Sequence, residues 1–284
     1  MSFHAKPNIF VNQVELKVED LQRSLDFYQN TIGFKVLEKT DRTASLTADG
    51  AHPLLTIEQP EDIKAKEPRR TGLYHYALLL PTRAHLAKII RHFIKTGYPL
   101  QGASDHDVSE ALYLADPDGN GIEIYTDRPS SKWEWKGKEV VMGTNALDVQ
   151  SIMDEWDGRP WEGLPAETVM GHIHLHVNNI EEAKHFYRNG LGFDIVNNYG
   201  NQALFISTGK YHHHIGLNIW NGIGAPPPSE NSAGMQSFTL VFPYQTVLDR
   251  IISQLESVGA SIAKEDGVQT VQDPSGNKIR LIVE

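Results

Sequence analysis

The sequence predicts an α+β protein built from four copies of one strand–helix–strands module, and two interleaved internal repeats predict it. The segment from Leu21 to Phe34 returns as Ile180 to Phe193. Phe27-Tyr28, Asn30 and Gly33-Phe34 fall on Phe186-Tyr187, Asn189 and Gly192-Phe193 at a constant offset of 159 residues. The segment from Gly72 to Pro81 returns as Gly234 to Pro243 at an offset of 162, which also carries Leu86, Ile89, Ile90 and Gly97 onto Leu248, Ile251, Ile252 and Gly259. A duplication of this kind decides the architecture before any local reading does.

Each module reads as a strand, a helix and several short strands separated by turn signals. The first (residues 8–60) opens on the alternation Val14, Leu16, Val18. In the second (70–127), Leu86, Ile89 and Ile90 have the i, i+3, i+4 spacing of an amphipathic helix, and Gly97 supplies its stop. Asp116-Pro117-Asp118-Gly119-Asn120-Gly121 is a tight turn delivering Ile122 and Glu123 into a strand. Residues 128–168 fit no module. They carry Trp133, Trp135, Trp156 and Trp161 and a short helical-looking run from Ala146 to Trp156, and read as a connector packed across two halves, 1–127 and 169–284. The third module (169–222) alternates Ile173, Leu175 and Val177; Pro226-Pro227-Pro228 marks a loop. The fourth (233–284) repeats the turn as Asp273-Pro274-Ser275-Gly276-Asn277.

Composition narrows the function. A length of 284 residues, 40% hydrophobic and 22% charged, describes an ordinary globular chain of about two domains. The formal net charge of −10 argues against nucleic acid or an anionic membrane surface as partner. With no cysteine, thiolate zinc sites, cysteine nucleophiles and disulfides are excluded. No apolar run approaches the ~20 residues of a membrane span, and no signal-peptide core opens the chain, so a cytoplasmic protein is expected.

Repeated β-α-β-β-β modules, with Phe-Tyr…Gly-Phe in the odd ones and Asp-Pro-Asp-Gly-Asn-Gly-Ile-Glu in an even one, resemble the vicinal oxygen chelate superfamily of glyoxalases, bleomycin-resistance proteins and extradiol dioxygenases. The resemblance covers all but the connector. The blocks at 172–220 and 105–125 are most similar to the extradiol ring-cleaving dioxygenases, in particular the catechol-2,3-dioxygenase-like proteins of Bacillus. It implies that modules pair into incomplete β-barrels with helices outside, each around a divalent metal. The ligands would come from the first strand of each module and the last strand of the even one.

Applied to each module, that rule gives Gln13, His75, His172 and Ser237 on the first strands, and Glu123 and Arg280 on the last strands of modules two and four. An arginine is always cationic and repels a metal. Only modules two and three hold a complete set: His75, Glu123 and His172, two imidazoles and one carboxylate with open positions, the pattern of non-heme Fe(II) oxygenases. The expected pairing is therefore two with three and one with four, within one chain or between two chains of a dimer. The resemblance also implies a catalytic histidine before the last strand of module three, matched by His213, or by His212 or His214 if the register slips. His106 and Tyr113 fill a further histidine and tyrosine of module two.

Taken singly, a strand histidine is a structural residue more often than a ligand. His174 and His176 share the face of His172 by strand period; packing or solvent exposure is their default reading, and one of them lining the pocket is the alternative. His4, His52, His85, His92 and His185 are given no role, the connector tryptophans are read as packing, and the Asp-Pro turns as turn chemistry. The function expected is Fe(II)-dependent extradiol cleavage, with Mn(II) as the other suitable metal, of a catechol-like diol by O2 in a homo-oligomer. A hydroquinone substrate is a variant of this. The competing readings are a glyoxalase I-type lyase or isomerase, a metal-dependent thiol transferase and, last, a binding protein without catalysis.

Overall fold

The computed structural model describes residues 2–284. In chain order the elements are β1 (Phe10–Lys17), α1 (Leu21–Phe27), β2 (Lys35–Lys39), β3 (Thr43–Thr47) and β4 (Pro53–Glu58). Then come β5 (Gly72–Leu79), α2 (Arg83–Thr96), β6 (Gly102–Asp105), β7 (Ser109–Ala115) and β8 (Gly121–Asp127). The connecting segment holds β9 (Trp135–Lys136), β10 (Glu139–Val140) and α3 (Val149–Met153). The second half has β11 (Val169–His176), α4 (Ile180–Lys184), β12 (Asp194–Tyr199), β13 (Ala203–Ser207) and β14 (Ile215–Asn218). It ends with β15 (Gly234–Phe242), α5 (Gln245–Ser257), β16 (Ala263–Glu265), β17 (Val268–Gln272) and β18 (Lys278–Val283).

Two curled eight-stranded sheets result. One runs β16-β17-β18-β15-β1-β4-β3-β2, the other β12-β13-β14-β11-β5-β8-β7-β6. Modules one and four therefore share a sheet, and modules two and three share the other, within a single chain. The first strands of the paired modules lie antiparallel at the centre, β1 against β15 and β5 against β11, and each is parallel to the last strand of its own module.

The helices form where the apolar spacing puts them. Thr82 caps α2 by accepting from the His85 N–H, Leu86, Ile89, Ile90 and Phe93 are buried, and Gly97 ends the helix at φ 70°. In α5, Leu248, Ile251 and Leu255 make the same face. After α1 and α4, however, each chain continues into a wider turn (Tyr28–Ile32 and His185–Gly190) rather than an ordinary helix end. The repeated Phe-Tyr occupies the start of these turns. Tyr28 donates from its hydroxyl to Asp116 Oδ2 at 2.7 Å, and Tyr187 to Asp273 Oδ2 at 3.0 Å. Each aspartate also accepts from two backbone N–H groups of its own turn and from Asn120 or Asn277. The two most visible motifs of the sequence thus hold one another, tying each odd module to the even module that follows it.

The helical run expected from Ala146 to Trp156 is shorter, Val149–Met153, because Asp148 caps a helix that has a single buried apolar residue, Ile152. The segment does bridge the halves: the Leu164 N–H donates to the Gly33 carbonyl, and Asn197 Nδ2 to the Val140 carbonyl.

Candidate metal centre and its cavity

Three side chains meet on the inner face of the second sheet. Ala77 of β5 is flanked by Glu123 on β8 and His172 on β11, and His75 lies two residues along β5 on the same face. Ala77 itself is buried and packs with Ala111 and Tyr125. Gly121, beside His75, lets β8 approach, since a Cβ there would run into the Tyr74 carbonyl. His75, Glu123 and His172 are all buried, with their ligand atoms mutually within 4.8 Å.

This set fits a divalent cation. Glu123 Oε2 is 3.0 Å from His75 Nε2 and 3.1 Å from His172 Nε2. Metal bonds of ~2.0–2.2 Å at right angles would separate neighbouring ligand atoms by about 2.8–3.1 Å. Despite its proximity, His75 Nε2 makes no hydrogen bond and is left orphaned in the interior, a cost a metal would remove. Burial pushes His172 down to about 4, so its ring is neutral. Burial also pushes the Glu123 carboxyl up, but His172 and His75 outweigh it and hold the group well below its usual range. A buried carboxylate between two imidazole nitrogens is a site that a cation would stabilise. No carboxylate stands at the fourth corner: the β14 residue opposite His174 is Gly216, as Glu123 is opposite Ala77, and the His174 ring lies over it.

The first sheet closes the equivalent place. Ser237 donates to Glu15 Oε2 at 2.6 Å, Arg280 Nε lies 3.7 Å from Glu15 Oε1, and Gln13 donates to Thr56. A guanidinium paired with a glutamate stands in place of metal ligands.

Around the triad lies a cavity of about 620 Å3 whose lining includes His75, Glu123, His106, Tyr113, His174 and His213. Tyr113, opposite Glu123 in the β7–β8 pair, has its hydroxyl 2.7 Å from His106 Nε2. His106 Nδ1 lies 2.7 Å from the Gly143 carbonyl, which only accepts, so in the neutral ring Nδ1 carries the hydrogen and Nε2 takes the tyrosine's. Burial and the Glu123 charge push Tyr113 well above 10, keeping it a phenol.

His213 packs against His172, ring centroids 4.1 Å apart, and burial holds its pKa well below 6.5. Its Nδ1 is 2.8 Å from His212 Nδ1, and His212 Nε2 is 2.8 Å from Asp127 Oδ1. With neutral rings, two contacts share two hydrogens. A carboxylate can only accept, so His212 donates to Asp127, His213 Nδ1 donates to His212, and His213 Nε2 keeps a lone pair. His214 turns away: its Nε2 meets the Phe3 carbonyl.

Several of these residues were not given by the sequence reading. His174, assigned by default to packing or solvent, lines the cavity fully buried, with Nε2 unpartnered and its ring lying over Gly216. His176 is buried against Asn218 Oδ1 at 2.7 Å. A histidine face looks solvent-directed in sequence, yet here it faces the inside of a curled sheet. His4, given no role, meets the Gly171 carbonyl at 2.7 Å. The connector supplies Met142, Gly143 and Thr144 to the cavity wall. Asp127 and the Gly143 carbonyl carried no signal.

The chain is similar to known proteins along most of its length. The chain is 48% identical over 278 residues to the catechol-2,3-dioxygenase of Bacillus subtilis (strain 168), covering 96% of this chain and 97% of that one. Among solved structures, a putative dioxygenase from Bacillus subtilis subsp. subtilis str. 168 superposes with a TM-score of 0.66 at 12% identity, over 98% of this chain and 86% of that one. Glyoxalase I from Zea mays does so with a TM-score of 0.61 at 14% identity, over 96% and 92%. At such identities the likeness is one of fold. Residues 10–124 and 169–281 each match one family, and the chain accordingly belongs to the Glyoxalase/Bleomycin resistance protein/Dioxygenase superfamily.

Proposed function

We propose that the protein is a non-heme Fe(II) extradiol dioxygenase that cleaves a catechol-like aromatic diol with O2, Mn(II) being the other metal its ligands suit. The observation that carries this is the buried His75–Glu123–His172 set with Gly216 in place of a fourth carboxylate, beside His213 and Tyr113. The relative in Bacillus subtilis named for catechol cleavage supports it. A glyoxalase-type centre would draw a carboxylate from β14, which has none.

His75, Glu123 and His172 would hold the metal, which supplies open coordination positions where two diol oxygens and O2 meet. The remaining residues handle protons. A neutral diol brings two hydroxyl hydrogens, and the cavity offers two acceptors. His213 Nε2 is the base, its lone pair fixed by the chain through His212 to Asp127. The Tyr113 oxygen accepts from the other hydroxyl, because its own hydrogen is committed to His106. His106, anchored by the Gly143 carbonyl, is thus a positioning residue for Tyr113. The proton taken by His213 is available to return to the oxygen-bearing product. The same reading places the enzyme in the cytoplasm as a homo-oligomer.

The test is oxygen uptake with catechol after anaerobic reconstitution with Fe(II). Uptake with a yellow ring-opened product, lost in His172→Ala, is expected. One bound metal per chain without uptake on any catechol or hydroquinone overturns the reading.

A further inference from the structure

We propose that the diol taken by this site carries an uncharged, apolar substituent seated against Tyr74, Phe205 and Trp220; the inference rests on the dioxygenase reading. Size is the first argument. The cavity measures about 620 Å3, in the range of about 300–1,000 Å3 that suits drug-sized ligands, whereas a bare benzenediol has only eight non-hydrogen atoms.

The second argument is the wall. From the metal ligands outward the aromatic rings form a continuous chain. His75 and Tyr74 have centroids 5.0 Å apart, Tyr74 and Trp220 5.2 Å, Trp220 and His174 5.4 Å, His174 and Phe205 5.6 Å, and Phe205 and His213 5.1 Å. Both ends of the chain, His75 and His213, adjoin the metal site, so a ring bound at the metal lies beside them and a group attached to it meets Tyr74, Phe205 and Trp220 along the wall. Its outer end is uncovered: Tyr74 is 40% exposed, Trp220 45% and Tyr199 64%. Large aromatics left open at the rim of a cavity are surface that a ligand can cover.

Charge is the third argument. Among the described residues no lysine or arginine lines the cavity, and its one carboxylate, Glu123, is a candidate metal ligand. A carboxylate on the diol would have to leave water without finding a cation.

The test compares three diols on the Fe(II)-reconstituted protein: catechol, 4-tert-butylcatechol and 3,4-dihydroxybenzoate. The last two place a tert-butyl group and a carboxylate at the same ring position. Both kcat/KM and anaerobic equilibrium binding are measured. The expected result is tert-butyl favoured over catechol at least tenfold, mainly through KM, and the carboxylate disfavoured at least tenfold. Trp220→Ala should shrink the tert-butyl advantage several-fold. Equal values for the three diols, or a preference for the carboxylate, overturn the proposal. If no diol is turned over but tert-butylcatechol still binds best, the dioxygenase reading fails and the ligand class stands; if none binds, both fail.

Discussion

Asp127 lies at the end of β8, where its carboxylate meets the deeply buried His212 and thereby acts on His213. Asp127→Asn keeps the shape and keeps one oxygen acceptor, but the amide can also turn its NH2 toward His212 Nε2. That orientation reverses the chain: His212 Nδ1 then donates to His213 Nδ1, and His213 Nε2 carries a hydrogen instead of a lone pair. The carboxylate allows one polarity only. A hydrogen bond to a charged group is worth roughly 1.5–3 kcal/mol and a neutral one about 0.5–1.5, so beyond the tautomer change the amide supports the positive charge that His213 gains as base less well by about 1–2 kcal/mol. At about 1.4 kcal/mol per factor of ten, kcat should fall roughly 5–30-fold. The diol KM should hold within about threefold and metal content should be unchanged, because no ligand moves. The assay is oxygen uptake at saturating diol together with iron stoichiometry. Asp127→Asn in a His213→Asn background should add little, since both act at one nitrogen. A single variant within twofold of the parent, or a double variant showing the full product of the two losses, would refute the reasoning.

Acid should destabilise the metal-free protein. Burial lowers His176 to about 4 and puts His174 and His214 well below 6.5. Between about pH 6.5 and 4 the unfolded chain then binds more protons, and stability present above 6.5 is lost as pH falls, by up to about 1.4 kcal/mol per unit for each histidine. Urea midpoints unchanged from pH 7 to 5 would contradict this. Tyr28→Phe and Tyr187→Phe each remove one hydroxyl from a buried aspartate and should each cost roughly 1.5–3 kcal/mol in chemical denaturation, a similar amount in both halves; a silent variant at either place breaks the parallel. Ala77→Leu puts a bulky side chain between Glu123 and His172, so iron binding should drop below about a tenth per chain while circular dichroism is retained; full occupancy would show that the metal does not sit beside Ala77.

The module pattern was legible in the sequence because both repeats are made of structural necessities. Tyr28 and Asp116, like Tyr187 and Asp273, survive in each half because they bond to one another. The location of the candidate centre was legible through asymmetry: His75, Glu123 and His172 stand where the other barrel has Ser237, Arg280 and Gln13. What escaped was anything set by curvature or by loops. Strand period puts His174 on the face of His172 but does not say that this face is enclosed. The Gly143 carbonyl that orients His106 is a backbone group in a segment without periodicity, and Asp127 meets His212 only across sequence-distant strands. Ala146 to Trp156 misled because its apolar residues pack from an extended segment around one short helix.

The most direct test of the account is anomalous diffraction at the iron edge from crystals reconstituted anaerobically with Fe(II) and soaked with catechol. It predicts one iron peak per chain, ~2.0–2.2 Å from His75, Glu123 and His172, with diol density on the side of His213 and Tyr113 and no peak beside Arg280. Iron bound elsewhere, or a diol lying away from His213, would contradict it.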